Sequence, residues 1–221
     1  MDYTDRIVDR LPEFDEKSRG FSAVEAFDLG AKPFRSYTWS CDVYNDQGRE
    51  GACVGFAWSH ELSARPKVVR RGPEFALEIY RRAQQIDEWP GESYSGTSVL
   101  AGVKAVMERE NSLGNAYIKE YRWAFGLEDV LRVVGYRGPV VLGINWYYNM
   151  YTPDAKNFIH ASGEKVGGHA IMAKGVKIVE KVPDGLYGTP DFNNIDLDKS
   201  YVRLHNSWGT GYGLGGDAFL T

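Results

Sequence analysis

Cysteine is scarce: Cys41 and Cys53 are the only two in 221 residues. That excludes the multi-disulfide framework that staples small secreted domains. Long apolar runs are missing too, so nothing in the chain reads as a membrane span. The opening residues, Met1-Asp2-Tyr3-Thr4-Asp5-Arg6, lack the basic stretch and apolar core of a secretory signal. A cytoplasmic protein of a reducing compartment, with no membrane partner, is the expectation. There is no excess of positive charge either: the net charge of −4 offers no general attraction for nucleic acid. The basic cluster of Arg65, Lys67, Arg70, Arg71, Arg81 and Arg82 reads as a solvated helix face. Internal repeats and low-complexity tracts are absent.

What is present is the composition of an ordinary globular chain. Hydrophobic residues make up 43% and charged residues 25%, enough to build a sizeable core in one domain or two lobes. Residues 1–46 are polar and turn-rich, broken by Pro12, Gly20, Gly30 and Pro33, and read as an extended arm crossing between lobes. Four helices follow. The first begins at Cys53 with the stripe Val54, Ala57, Trp58 and Leu62, and the second at Pro73 with Ala76, Ile79, Tyr80 and Ala83. The third is capped by Thr97 or Ser98 and carries Val99, Val103, Val106 and Met107; the fourth spans Leu127 to Val134.

After Gly138-Pro139 the pattern becomes β-branched and aromatic. Strands are predicted over Val140–Trp146, from His169 to Ile178, over Tyr201–His205, and at Ala218–Leu220. Asp184 through Asp198 reads as a surface loop between two strands. The expected class is α+β, with a helical lobe at 47–137, a β-rich lobe at 138–221 and a cleft between them.

Three stretches carry chemistry. Cys53 sits in the first turn of its helix, where unsatisfied N–H groups and the positive end of the helix dipole favour thiolate over thiol. Gln47, six residues earlier, is placed to aim its amide at a developing oxyanion, with the Cys53 N–H as second donor. His169 heads an apolar strand after Gly167-Gly168, and Asn206 leaves a strand into the turn Ser207-Trp208-Gly209. Taken alone, such a histidine is ordinarily a satisfied structural residue, and the asparagine turn is a loop.

Together, Gln47, Ala52-Cys53, Gly168-His169-Ala170 and Asn206-Ser207-Trp208-Gly209 resemble the papain family of cysteine peptidases, in the same order and over most of the chain. The histidine and asparagine lie 116 and 153 residues after the cysteine, a separation that fits a compact member. The resemblance implies a papain-like two-lobe fold and a peptidase acting on polypeptides without metal or cofactor. It implies Cys53 as nucleophile, His169 as acid and base, Asn206 as its orienter, Gln47 in the oxyanion hole and Trp208 as a shield over the His169–Asn206 bond. Gly96, Gly168, Ala170 and Trp208 are the expected substrate-binding positions. Oligomeric state is left open.

Two departures qualify the resemblance. The family's Cys-Gly-Ser-Cys-Trp run is Glu50-Gly51-Ala52-Cys53-Val54 here, which removes a family disulfide and the aromatic cover beside the sulfur. The paired groove glycines are also missing, and Ser95-Gly96-Thr97 is the nearest substitute. With only 46 residues before Gln47, a helical propeptide domain does not fit, so restraint is expected from specificity, a partner or timing. The alternatives are a thiol amidase or acyltransferase using the same acyl-enzyme, or a silent binding protein of the same fold.

Overall fold

The computed structural model describes residues 2–13, 15–89, 95–182 and 191–221. The loop expected at 184–198 lies partly outside that set; within it, Asp196 turns back onto Val179 and Ile195 bridges Glu180.

The helical half is built around α2 (Cys53–Ser63), which buries nine of its residues, the polar Ser59, His60 and Ser63 among them. Such a helix has no solvent face to keep. It packs against α3 (Pro73–Ile86), α4 (Val99–Met107) and the central strand of the sheet. Pro73 at the first turn of α3 and the Ser98 hydroxyl accepting from Ala101 N at the start of α4 set where those helices begin. The stripe expected on α3 is its buried face. On α4, Leu100 and Ala101 are buried beside Val103 and Val106, while Val99 and Met107 are only half-buried, because the helix is covered by α2 and α3 from two directions.

Glycine permits the α2–α3 contact. A Cβ on Gly55 would lie 2.1 Å from the Ala76 carbonyl oxygen and 2.9 Å from Tyr80 N, both backbone atoms that cannot swing aside. Gly55→Ala is therefore expected to lower stability by about 2 kcal/mol, or roughly 4–8 °C in Tm, by thermal denaturation. An unchanged Tm would contradict this crossing.

The other half is an antiparallel sheet organised on β5 (Lys165–Lys177), which pairs with β2 (Tyr37–Thr38), β4 (Val140–Tyr147) and β6 (Tyr201–His205); β7 (Asp217–Leu220) pairs with β6. β5 begins four residues earlier than expected, so His169 lies within the strand rather than at its start. The β4 ladder runs through Gly168↔Asn145 and Gly167↔Trp146 and keeps those glycines extended. A single long cluster including Trp146, Met150, Ile171, Leu204 and Trp208 forms this core.

One helix within residues 47–137, the expected helical lobe, packs on the sheet. α5 (Leu127–Tyr136) buries Val130, Leu131 and Val134 in the sheet core, together with Phe34 from the N-terminal segment. Its apolar face is matched to the sheet, whereas α2, α3 and α4 pack on one another.

The N-terminal segment is more than a crossing arm. It holds α1 (Ala23–Ala26) and a two-residue strand, β1 (Arg10–Leu11), which pairs in parallel with β3 (Thr97–Ser98) of the helical lobe. Asp9 forms a parallel bridge with Gly168 of the sheet lobe. Residues 9–11 thus lie between the lobes, bonded to both. No helix among the described residues is long and apolar enough to cross a membrane.

Candidate active site

Cys53 is the first residue of α2, and its preceding cap position, Ala52, supplies no side-chain bond to the helix start. First-turn N–H groups and the dipole are therefore left to act on whatever lies at that end. The Ala170 N–H donates to Cys53 Sγ at 3.4 Å, which joins the helix start to β5 one residue past His169.

The orientation of His169 follows from its neighbours. Its Nε2 is 2.8 Å from Asn206 Oδ1, and the same oxygen accepts from Ser207 N at 2.9 Å. A backbone N–H can only donate, so that atom is the amide oxygen, and Nε2 must carry the proton. Nδ1 of the neutral ring is then a bare acceptor. It is buried and has no hydrogen-bond partner among the described residues. Such a nitrogen is what a general base requires.

Two tryptophans enclose the ring. Trp146 meets it edge-on at 4.7 Å and Trp208 lies 5.3 Å away, which keeps water from the His169–Asn206 bond. Trp208 was expected; Trp146 was missed, since an aromatic in a β-rich run reads simply as core. Trp208 is itself almost fully buried, with Tyr3 and Tyr151 parallel to it. Nothing of it remains open as a substrate surface in this form.

Gln47 is tied to the asparagine turn. Its N–H donates to Ser207 O at 2.8 Å, and its Oε1 accepts from Ser207 Oγ at 2.5 Å. With the oxygen thus engaged, the Nε2 donors point to Glu50 O at 2.8 Å and Ile7 O at 3.2 Å. Ile7 belongs to the N-terminal segment, so the amide expected to meet a substrate carbonyl meets a carbonyl of this chain.

The remaining expected positions line the path of that segment. A Cβ on Gly96, whose φ is +92°, would fall 1.7 Å from Asp9 O; one on Gly168 would fall 2.2 Å from Arg10 O. Gly167 is approached as closely, with Val8 O 2.2 Å from its Cβ position, whereas a Cβ on Gly51 would meet Ser95 Oγ at 2.3 Å and the Asp9 side chain at 3.0 Å; neither was expected to line the site. Three glycines from both lobes, Gly96, Gly167 and Gly168, make room for one stretch of backbone. Residues 7–11 run between Gln47 and these glycines, a placement that the expected restraint by specificity, a partner or timing did not include. No sequence signal marks Val8-Asp9-Arg10 for this place. Gly96→Ala is expected to displace the segment, since the left-handed backbone and the contact with Asp9 both oppose a side chain. Faster alkylation of Cys53 would report it.

Burial sets the electrostatics. Burial pushes the Cys53 thiol up from 9.0 to about 11, against the opposing pull of the Ala170 and Asp9 N–H groups. Burial likewise holds His169 down, from 6.5 to about 4, although the bond to Asn206 favours its charged form. Arg10 of the segment sets its charge against the imidazolium, so as pH falls from about 6.5 towards about 4 an opened cleft binds a proton at His169 more readily than the closed one, and closure weakens. As pH rises from about 9 to about 11, Cys53 ionises only when released, and closure weakens again. Hydrogen exchange of residues 6–12, corrected for intrinsic rates, is expected to be slowest between those windows. A flat profile would contradict the assignment.

No protein-family model and no curated protein sequence matches the chain. Solved structures do match it. Xylellain, a cysteine protease from Xylella fastidiosa, aligns with a TM-score of 0.64 over 96% of this chain and 88% of its own, at 16% identity. Digestive procathepsins L2 and L3 from Tenebrio molitor larval midgut align with TM-scores of 0.57 and 0.56, over 98% and 99% of this chain and 73% and 71% of theirs, both at 15% identity. The chain has the papain-like fold. In that α+β architecture Cys53 stands at the start of the central helix of one lobe, with His169 and Asn206 on the facing sheet lobe. Among the described residues no cluster of three or more His, Cys, Asp or Glu side chains is suited to hold a metal ion.

Proposed function

We propose that the chain is a cysteine peptidase whose own N-terminal segment holds its cleft closed. The observation that carries this reading is the tautomer of His169. An imidazole with Nε2–H fixed on Asn206 and a bare Nδ1 lies one residue from the N–H that touches the Cys53 sulfur. In the proposed cycle Nδ1 takes the thiol proton and the thiolate attacks a peptide carbonyl. The imidazolium then protonates the leaving amine, and water activated by the same nitrogen releases the acyl group. Gln47 Nε2 would donate to the tetrahedral oxyanion. A polypeptide substrate is favoured over other amides because the cleft already accommodates a peptide main chain in extended form.

At Asp9 the resident segment turns an N–H to the sulfur and directs its carbonyl oxygen to Gly96. Gly168 and Ala170 act through their backbone, Gly168 by letting the peptide pass and Ala170 by its N–H on the sulfur.

The test is labelling by an epoxide electrophile, followed by a proteome-derived peptide library. Adduct formation at Cys53 that requires His169, together with cleavage of library peptides, is the expected result. A folded protein that stays unlabelled even when its N-terminal segment is loosened would overturn the proposal. Labelling without peptide cleavage would shift the substrate class toward other amides.

A further inference from the structure

The segment in the cleft places one long side chain beside the proposed chemistry. Arg10 pairs with Thr97 and directly follows Asp9, whose N–H faces the sulfur. Its side chain runs along the edge of β4 and donates from Nη2 to Ile144 O at 3.0 Å. Among the described residues β4 pairs with β5 alone, and no other strand borders this edge.

The slot is made by missing side chains. A Cβ on Gly143 would lie 3.1 Å from Arg10 Nε, 3.2 Å from Cδ and 3.3 Å from a Val99 methyl; one on Gly168 would lie 3.2 Å from Arg10 Cζ. Gly143 stands inside Val140-Val141-Leu142-Gly143-Ile144, where a strand otherwise favours β-branched residues. Glycine inside a strand marks a close approach. The slot therefore offers apolar walls to an aliphatic stem and a carbonyl acceptor at its end.

We propose that this slot is a specificity subsite for long basic side chains, and that the chain acts on peptides carrying Arg or Lys at the position that replaces Arg10. The inference rests on the peptidase reading above. A leucine in the slot fills the apolar part but leaves the Ile144 carbonyl without a donor, and an acidic side chain sets charge against that carbonyl. Arg10 Nε is buried without a partner among the described residues, and lysine, which has no donor in mid-stem, is admitted on equal terms.

The test uses the full-length protein and a positional library of fluorogenic peptides. At one position Arg and Lys are expected to exceed Leu and Glu by about tenfold in kcat/KM, and Gly143→Val is expected to collapse that ratio. Cleavage with no basic preference, or with a preference that Gly143→Val leaves intact, overturns this inference and leaves the peptidase reading standing. Absence of both cleavage and Cys53 labelling overturns the peptidase reading instead, and the slot is then judged without turnover. Hydrogen exchange of residues 6–12 is expected to be about tenfold faster in Arg10→Leu than in the wild type, with Arg10→Lys near the wild type. Equal exchange in all three proteins refutes selectivity of the slot.

Discussion

Cys53→Ala is expected to reduce peptide hydrolysis to background, a loss on the order of 10⁴-fold or more, and His169→Ala to do nearly the same. The double variant should be no worse than either single one, because nucleophile and base act as a unit and removal of one leaves the other without a task. Asn206→Ala should cost less, on the order of 10²-fold, since the imidazole keeps its place against Trp146 and Trp208 but loses the partner that fixes its proton on Nε2. All three are best measured with Tyr3→Ala present, so that opening does not limit the rate. A Cys53→Ala protein that still hydrolyses peptides would remove the proposed nucleophile.

Loosening the N-terminal segment is expected to have the next largest effect, and its aromatic anchor should matter more than its ion pairs. Tyr3 is 6% exposed, with its ring 5.7 Å from Trp208 in a stacked arrangement and 5.3 Å from Tyr212 edge-on. Truncation to alanine forfeits about 3 kcal/mol of packing, which raises the open fraction about 100-fold. The Arg6–Asp46 pair, at 2.8 Å, has its aspartate 45% exposed, and Arg49–Asp5, at 2.9 Å, is more open still. Pairs of that kind contribute about 0.5–1 kcal/mol, so Arg6→Ala should accelerate opening only a few-fold, as should added salt. The measurement is the rate of Cys53 alkylation, with a denaturation midpoint to exclude global unfolding. Equal rates for Tyr3→Ala and wild type would show that the segment does not gate the thiol.

Legibility varied with how local each signal was. Pro73 and Ser98 announce α3 and α4 because a helix start is decided by a few adjacent atoms. The α2 stripe was legible, as was the alternation of β6. By contrast, the start of β5 at Lys165 depended on pairing with β4, and the placement of α5 on the sheet depended on which lobe offered a matching apolar face. Gln47, Cys53, His169 and Asn206 could be named from spacing and from family resemblance. The tautomer of His169, the enclosure by Trp146 and the segment beside the sulfur could not. Val8-Asp9-Arg10 carries no composition bias or period, and its place is fixed by glycines 40 to 160 residues distant in the chain.

The occupant of the cleft is attached to the protein it blocks, and this changes what affinity it requires. A segment joined to its site by a short connection experiences it at an effective concentration of about the millimolar range. A free peptide at micromolar concentration and equal intrinsic affinity therefore competes at a disadvantage of about a thousandfold. One cut in the exposed turn around Lys17 and Arg19 would leave every contact in the cleft unchanged and still abolish that advantage, converting an internal ligand into one that dissociates and dilutes.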